Sequence, residues 1–136
     1  MTLNNCTEEK LFEWIKSNFI EDLSLTKKPY SRYDCYSEKF NLDIELKCRR
    51  KHYDNLIIEK KKYDALIHRC NTYNTIPIYI NSTPKGVWAF YIADIRMMWE
   101  QKMLPAQTDF SDKSFIDKTI SYLRLESGVD LMELLG

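Results

Sequence analysis

The stretch that most limits what this chain can fold into is "NLDIELKCRR", residues 41–50, where Leu42, Ile44, Leu46 and Cys48 alternate with Asp43, Glu45, Lys47 and Arg49. A period of two sends these two sets to opposite faces of a β-strand. One face is apolar enough to close a core. The other carries two acids and then two bases, and by itself it reads as a charged face open to solvent. A strand of this kind requires a sheet with a cover on at least one side.

The rest of the chain supplies the cover. "EEKLFEWIKSNFIEDL", residues 8–23, spaces Leu11, Ile15, Phe19 and Leu23 by four behind Thr7, a capping residue, with Glu8 and Glu9 in the first turn; the pattern predicts a helix. "YSRYDCYS", rich in aromatic residues, reads as a strand joined to residues 42–50 through the hairpin connection "EKFN". "YDNLIIEKKKYDALIHRC" reads as a second helix capped by Asp54, with Leu56, Ile57, Ala65, Leu66 and Ile67 on one broad face. "TIPIYI" and "VWAFYIADI", separated by "NSTPKG", predict a hairpin over 76–95, with Pro77 at its start or on an edge. Further on, "KSFIDKTISYLRL" carries Ile116, Ile120 and Leu123 at helical spacing, and "VDLMELLG" reads as a last turn docking on the core. The order is helix, strand, strand, helix, strand, strand, then a C-terminal helical segment, which is an α/β order. With 136 residues and 44% hydrophobic content the chain can bury one core but hardly two, so a single domain over 1–136 is expected.

Other classes are disfavoured. Cys6, Cys35, Cys48 and Cys70 form no C-x-x-C pair and have only His52 and His68 beside them, which indicates neither a zinc site nor a disulfide framework. No apolar run approaches the roughly 18 residues needed to span a bilayer, and "MTLNNCTEEK" lacks the apolar centre of a signal peptide, so a soluble cytoplasmic protein is expected. Net charge is zero, but residues 27–70 hold 12 Lys and Arg against 7 Asp and Glu, while the remainder holds 8 against 13. The middle third is the part suited to facing phosphates.

Glu-x-Lys alone carries little information; it recurs at Glu8/Lys10, Glu59/Lys61 and Glu100/Lys102. Glu45/Lys47 differs by context. It lies in strict alternation, and a preceding strand offers Asp34 within hairpin reach. Helix one offers Glu8, Glu9 or Glu13, and helix two Glu59 or Lys62.

With "YD" on the first strand, "IELK" on the next and "YDNLIIEKKKYDAL" on the following helix, residues 8–95 resemble the PD-(D/E)XK, or restriction-endonuclease-like, nuclease superfamily, particularly its small phage-type members. The resemblance implies an α/β restriction-endonuclease-like core, a central mixed β-sheet flanked by helices, in a nuclease encoded by a phage and working in its bacterial host. It implies Asp34, Glu45 and Lys47 as the catalytic set, with Mg²⁺ or Mn²⁺ held by Asp34, Glu45 and the backbone carbonyl of Leu46. Tyr33 stands where the family has proline, and Asp43 offers a competing D-x-E-x-K reading. Asp43, Glu59, Lys62 and Glu13 would support the site, and Arg49, Arg50, Lys51 and Lys60 would contact nucleic acid, DNA before RNA. A homodimer is compatible with so small a chain, since one active site cuts one strand. The chemistry fits these residue types: phosphodiester hydrolysis needs an activated water and counter-charge, which a carboxylate-held divalent cation supplies. The alternative is a non-catalytic nucleic-acid- or protein-binding protein with this architecture, compatible with the near-neutral pI and the lack of a separate recognition element.

Overall fold

The computed structural model describes residues 1–26, 34–105 and 115–136. The expected aromatic strand therefore falls partly outside the described residues, at Tyr30 and Tyr33.

Helix α1 spans Glu8–Asn18, with the Thr7 hydroxyl accepting from the Lys10 amide at 3.2 Å. It ends a turn before the apolar spacing does. The Phe19 and Ile20 amides both close on the Ile15 carbonyl, and Asp22 is drawn off to the next hairpin, accepting from the Ser37 hydroxyl at 2.6 Å and the Lys39 amide at 2.9 Å. Two short strands, β1 (Ser24–Leu25) and β2 (Cys35–Ser37), lead to β3 (Leu42–Cys48), the alternating segment. The turn into β3 passes through Asn41 in the left-handed region (φ 57°), which asparagine tolerates better than most residues.

The second helix departs from the sequence reading. Asn55–Glu59 is a strand, β4, and helix α2 covers only Lys60–Tyr73. Leu56 and Ile58 point into the core from β4, and its partner is β8 (Phe115–Arg124), the segment expected to be helical. The two differences are one event: Ile57, Ile58, Ile116, Thr119 and Ile120 are β-branched, and pairing satisfies both backbones. With β7 (Glu100–Pro105) these strands form a three-stranded sheet in the order β4-β8-β7.

The expected hairpin is present as β5 (Ile76–Thr83) and β6 (Gly86–Tyr91), and β9 (Val129–Asp130) adds to its edge. The central sheet runs β1-β2-β3-β5-β6-β9. Among the described residues only β3 and β5 pair in parallel, the crossover between them being β4 and α2. The final turn, α3 (Leu131–Leu134), docks Leu131 into the core as expected.

Alternation in the central strands divides the interior. Leu11 and Ile15 of α1 pack with Ile44, Leu46, Ile80 and Val87 on one face. Leu66 of α2 packs with Leu56, Ile58, Tyr79, Trp88, Phe90 and Leu123 on the other. Trp88 and Phe90 are thus core residues. No described helix is long and apolar enough to cross a membrane.

Candidate active site

The charged face of β3 is not open to solvent. It lies beneath α2, and Asp34, Asp43 and Glu45 are 4, 5 and 7% exposed. The expectation of an exposed strand face is corrected here: α2 crosses back over β3 because a parallel β3–β5 connection must pass over one face of the sheet. The β2–β3 pairing sets Cys35 opposite Ile44, and Asp34 is the residue just before β2. The two carboxyl groups lie within hydrogen-bonding reach of each other.

The cover itself carries charge. Arg69, on the inner face of α2 and 2% exposed, places Nη1 3.2 Å from Asp34 Oδ2 and Nε 3.1 Å from Asp43 Oδ1. Asp43 Oδ2 also accepts from the Thr75 hydroxyl at 2.5 Å. Two turns earlier on α2, Lys62 Nζ lies 3.6 Å from Glu45 Oε1, with its side chain 45% exposed. Lys62 and Arg69 are seven residues apart and so share one helix face. That spacing is a signal the sequence contains; an inward arginine is rare enough that it went unread.

Burial, then the hydrogen bond and negative charge of Asp34, pushes the Glu45 carboxyl up to about 8, against smaller opposing effects of Lys62 and Arg69. Burial and then the charge of Arg49 lower the pKa of Lys47; Glu8 and Glu59 oppose the shift. Glu8, at the start of α1, is therefore the acid of that helix that acts on Lys47. Glu13, expected to support the site, is exposed on a helix that packs against the apolar face of β3.

Two of the expected phosphate contacts, Arg49 and Lys60, have protein partners. Arg49 donates from Nε to Asn81 Oδ1 at 3.0 Å, from Nη2 to the Tyr79 hydroxyl at 3.1 Å, and to the Ile57 carbonyl, to which the Tyr79 hydroxyl also donates. It clamps the end of β3 to β5 and β4. Lys60 pairs with Asp64 at 2.7 Å and lies over the Trp99 ring. Glu59 pairs across the small sheet with Lys118 at 3.0 Å. Arg50 and Lys51 are exposed in the loop after β3.

No family model matches this chain, and no curated protein matches it. Among solved structures it is similar to Hjc, a Holliday junction resolvase from the archaeal hyperthermophile Archaeoglobus fulgidus, with 13% sequence identity and a TM-score of 0.53 over 91% of this chain and 98% of that one. The likeness is one of fold: this chain has the mixed-sheet α/β architecture of that resolvase.

Proposed function

We propose that this chain is a divalent-cation-dependent nuclease acting on DNA, with Asp34 and Glu45 holding Mg²⁺ or Mn²⁺ and Lys47 serving the reaction beside them. The observation that carries the reading is the pair of buried carboxyl groups, Asp34 and Glu45, within hydrogen-bonding reach of each other, with Lys47 two residues on along the same face of β3. Its resolvase-like fold supports a DNA substrate and makes branched DNA the first to try.

The residues fit a hard cation. Among the described residues no three His, Cys, Asp or Glu side chains form a metal-binding group. The donor set is then two carboxylates and the Leu46 carbonyl, which lies beyond the Leu42–Ile44 stretch that β2 pairs. A sparse oxygen set with positions left for water and phosphate suits Mg²⁺. When bound, the cation would supply an activated water near neutral pH and counter-charge at the scissile phosphate. The competing D-x-E-x-K assignment is less favoured, because both Asp43 oxygens already accept, from Arg69 and Thr75.

The chain's own groups do the positioning. Asp34, just before β2, and Glu45, on β3, set the direction from which a phosphate approaches. Lys47 donates a hydrogen bond to the attacking water or a non-bridging oxygen, and its lowered pKa makes it a readier proton donor than an exposed lysine. Arg50 and Lys51 would contact backbone phosphates. One such site cuts one strand, so severing both strands of a duplex or junction calls for two copies.

The test is incubation of the chain with plasmid, linear duplex, four-way junction and single-stranded substrates, with Mg²⁺, Mn²⁺ or EDTA. Cleavage that needs metal and is lost in Glu45→Gln and Lys47→Met, with both variants folded, is expected. Binding of DNA without cleavage under every condition would instead identify a non-catalytic binding protein.

A further inference from the structure

We propose that Arg69 is a positioning residue that acts as the resident counter-cation of the acidic site: it holds Asp34 beside Asp43 and competes with a divalent cation for Asp34, and so sets the site's metal affinity. This rests on the reading of Asp34 and Glu45 as the cation-holding pair.

Three carboxyl groups gathered under one helix and cut off from water need positive charge close by, since an uncompensated buried charge costs several kcal/mol. The nearest cations differ in kind. Lys62 is nearly half exposed and sits 3.6 Å from Glu45, a loose surface contact. Arg69 is buried, and its planar fork spans two acids far apart in sequence from it, Asp34 just before β2 and Asp43 on β3. Thr75 holds the far oxygen of Asp43. The guanidinium is therefore anchored on the Asp43 side by a carboxyl that is itself pinned, while on the other side it bonds an acid that must also serve the cation. A guanidinium and a dication drawn to the same carboxylate repel each other. Even at the dielectric of water, a unit charge within about 6 Å of a dication opposes its binding by roughly a power of ten.

A structural ion pair and a competing counter-cation predict different things. If Arg69 only supports the fold, its loss lowers the melting temperature and leaves the Mn²⁺ dissociation constant of the folded protein unchanged. As the competing cation, its loss also tightens Mn²⁺ binding. Calorimetric titration of the full-length chain with Mn²⁺ should show Arg69→Met binding at least about tenfold more tightly than the parent, with Arg69→Lys, which keeps the charge, nearer the parent. Should Arg69→Met fail to fold, the parent protein decides the matter. The NMR resonance of the Arg69 Nε–H, assigned through its own side-chain carbons, is expected to shift during a Mg²⁺ titration with the midpoint seen by calorimetry. An unmoved resonance at saturating Mg²⁺, or an Arg69→Met dissociation constant equal to or weaker than the parent's, overturns the proposal while leaving the metal site standing. A parent protein that binds neither Mg²⁺ nor Mn²⁺ would remove both.

Discussion

The two faces of β3 are buried to nearly the same degree and have little else in common. On one, Ile44 and Leu46 are sealed against Leu11 and Ile15 of α1. On the other, Asp43 and Glu45 are sealed beneath α2, against Arg69 and Lys62. Burial as such does not separate a core from a site; what the covering helix brings does. An apolar cover stabilises under all conditions, because its energy comes from area removed from water. A charged cover leaves an energy that depends on pH and on cations, and so a surface that a ligand can act on.

The contrast can be broken or sharpened experimentally. The largest effect is expected in catalysis: Glu45→Gln and Lys47→Met should each lower metal-dependent cleavage by roughly 10²- to 10³-fold or more, measured as single-turnover rates on a four-way junction or nicked plasmid. Equal rates in the variants and the parent would move the site off this face.

On the opposite face the loss should fall on stability and not on cation response. Ile44→Ala is expected to cost about 2–5 kcal/mol in denaturant unfolding, by the same amount in EDTA and in Mg²⁺. A cost that shrank on adding Mg²⁺ would mean that the two faces are energetically joined.

The pH dependence sharpens the comparison further. Glu45 is pushed up to about 8 in the folded protein from an ordinary value of 4.5, so the fold holds its proton more tightly than the unfolded chain does. Its contribution to stability is then fullest below about 4.5 and is lost as pH rises through about 8. In EDTA, unfolding of the parent should show this decline, and Glu45→Gln, which has no proton to lose, should lack it. Identical pH profiles would show that Glu45 is not the group responsible.

The smallest effect is expected at the rim. Arg50→Ala and Lys51→Ala should each weaken DNA binding evenly across sequences and reduce the slope of log affinity against log salt by about 1. A change in sequence preference with the slope intact would mean contact with bases instead of phosphates.

The candidate site was legible only in part. Asp34, Glu45 and Lys47 can be read because a period of two is a local property that fixes their shared face. Arg69 is not legible as a site residue, since its two partners lie 35 and 26 residues away and an arginine on the buried side of a helix, beside Leu66, is rare. Glu59 and Lys62 were both assigned to the helix edge by their neighbours in sequence, but only Lys62 meets Glu45; Glu59 is drawn to Lys118 across the small sheet.

The same distinction holds for the fold. Local pattern alone determined α1, the β3 alternation and the β5–β6 hairpin, because each depends on periodicity or on contacts between neighbours in sequence. Tertiary structure alone decided β4 and β8. "NLIIE" and "KTISYL" each fit a helix or a strand when read singly, and only their pairing, with Asn55 opposite Arg124 and Glu59 opposite Ile120, makes both extended. It also decided that the charged face of β3 is covered. Which side of a sheet a crossover helix lies on is set by the hand of the β3–α2–β5 connection, a property of three elements together that no one of them encodes.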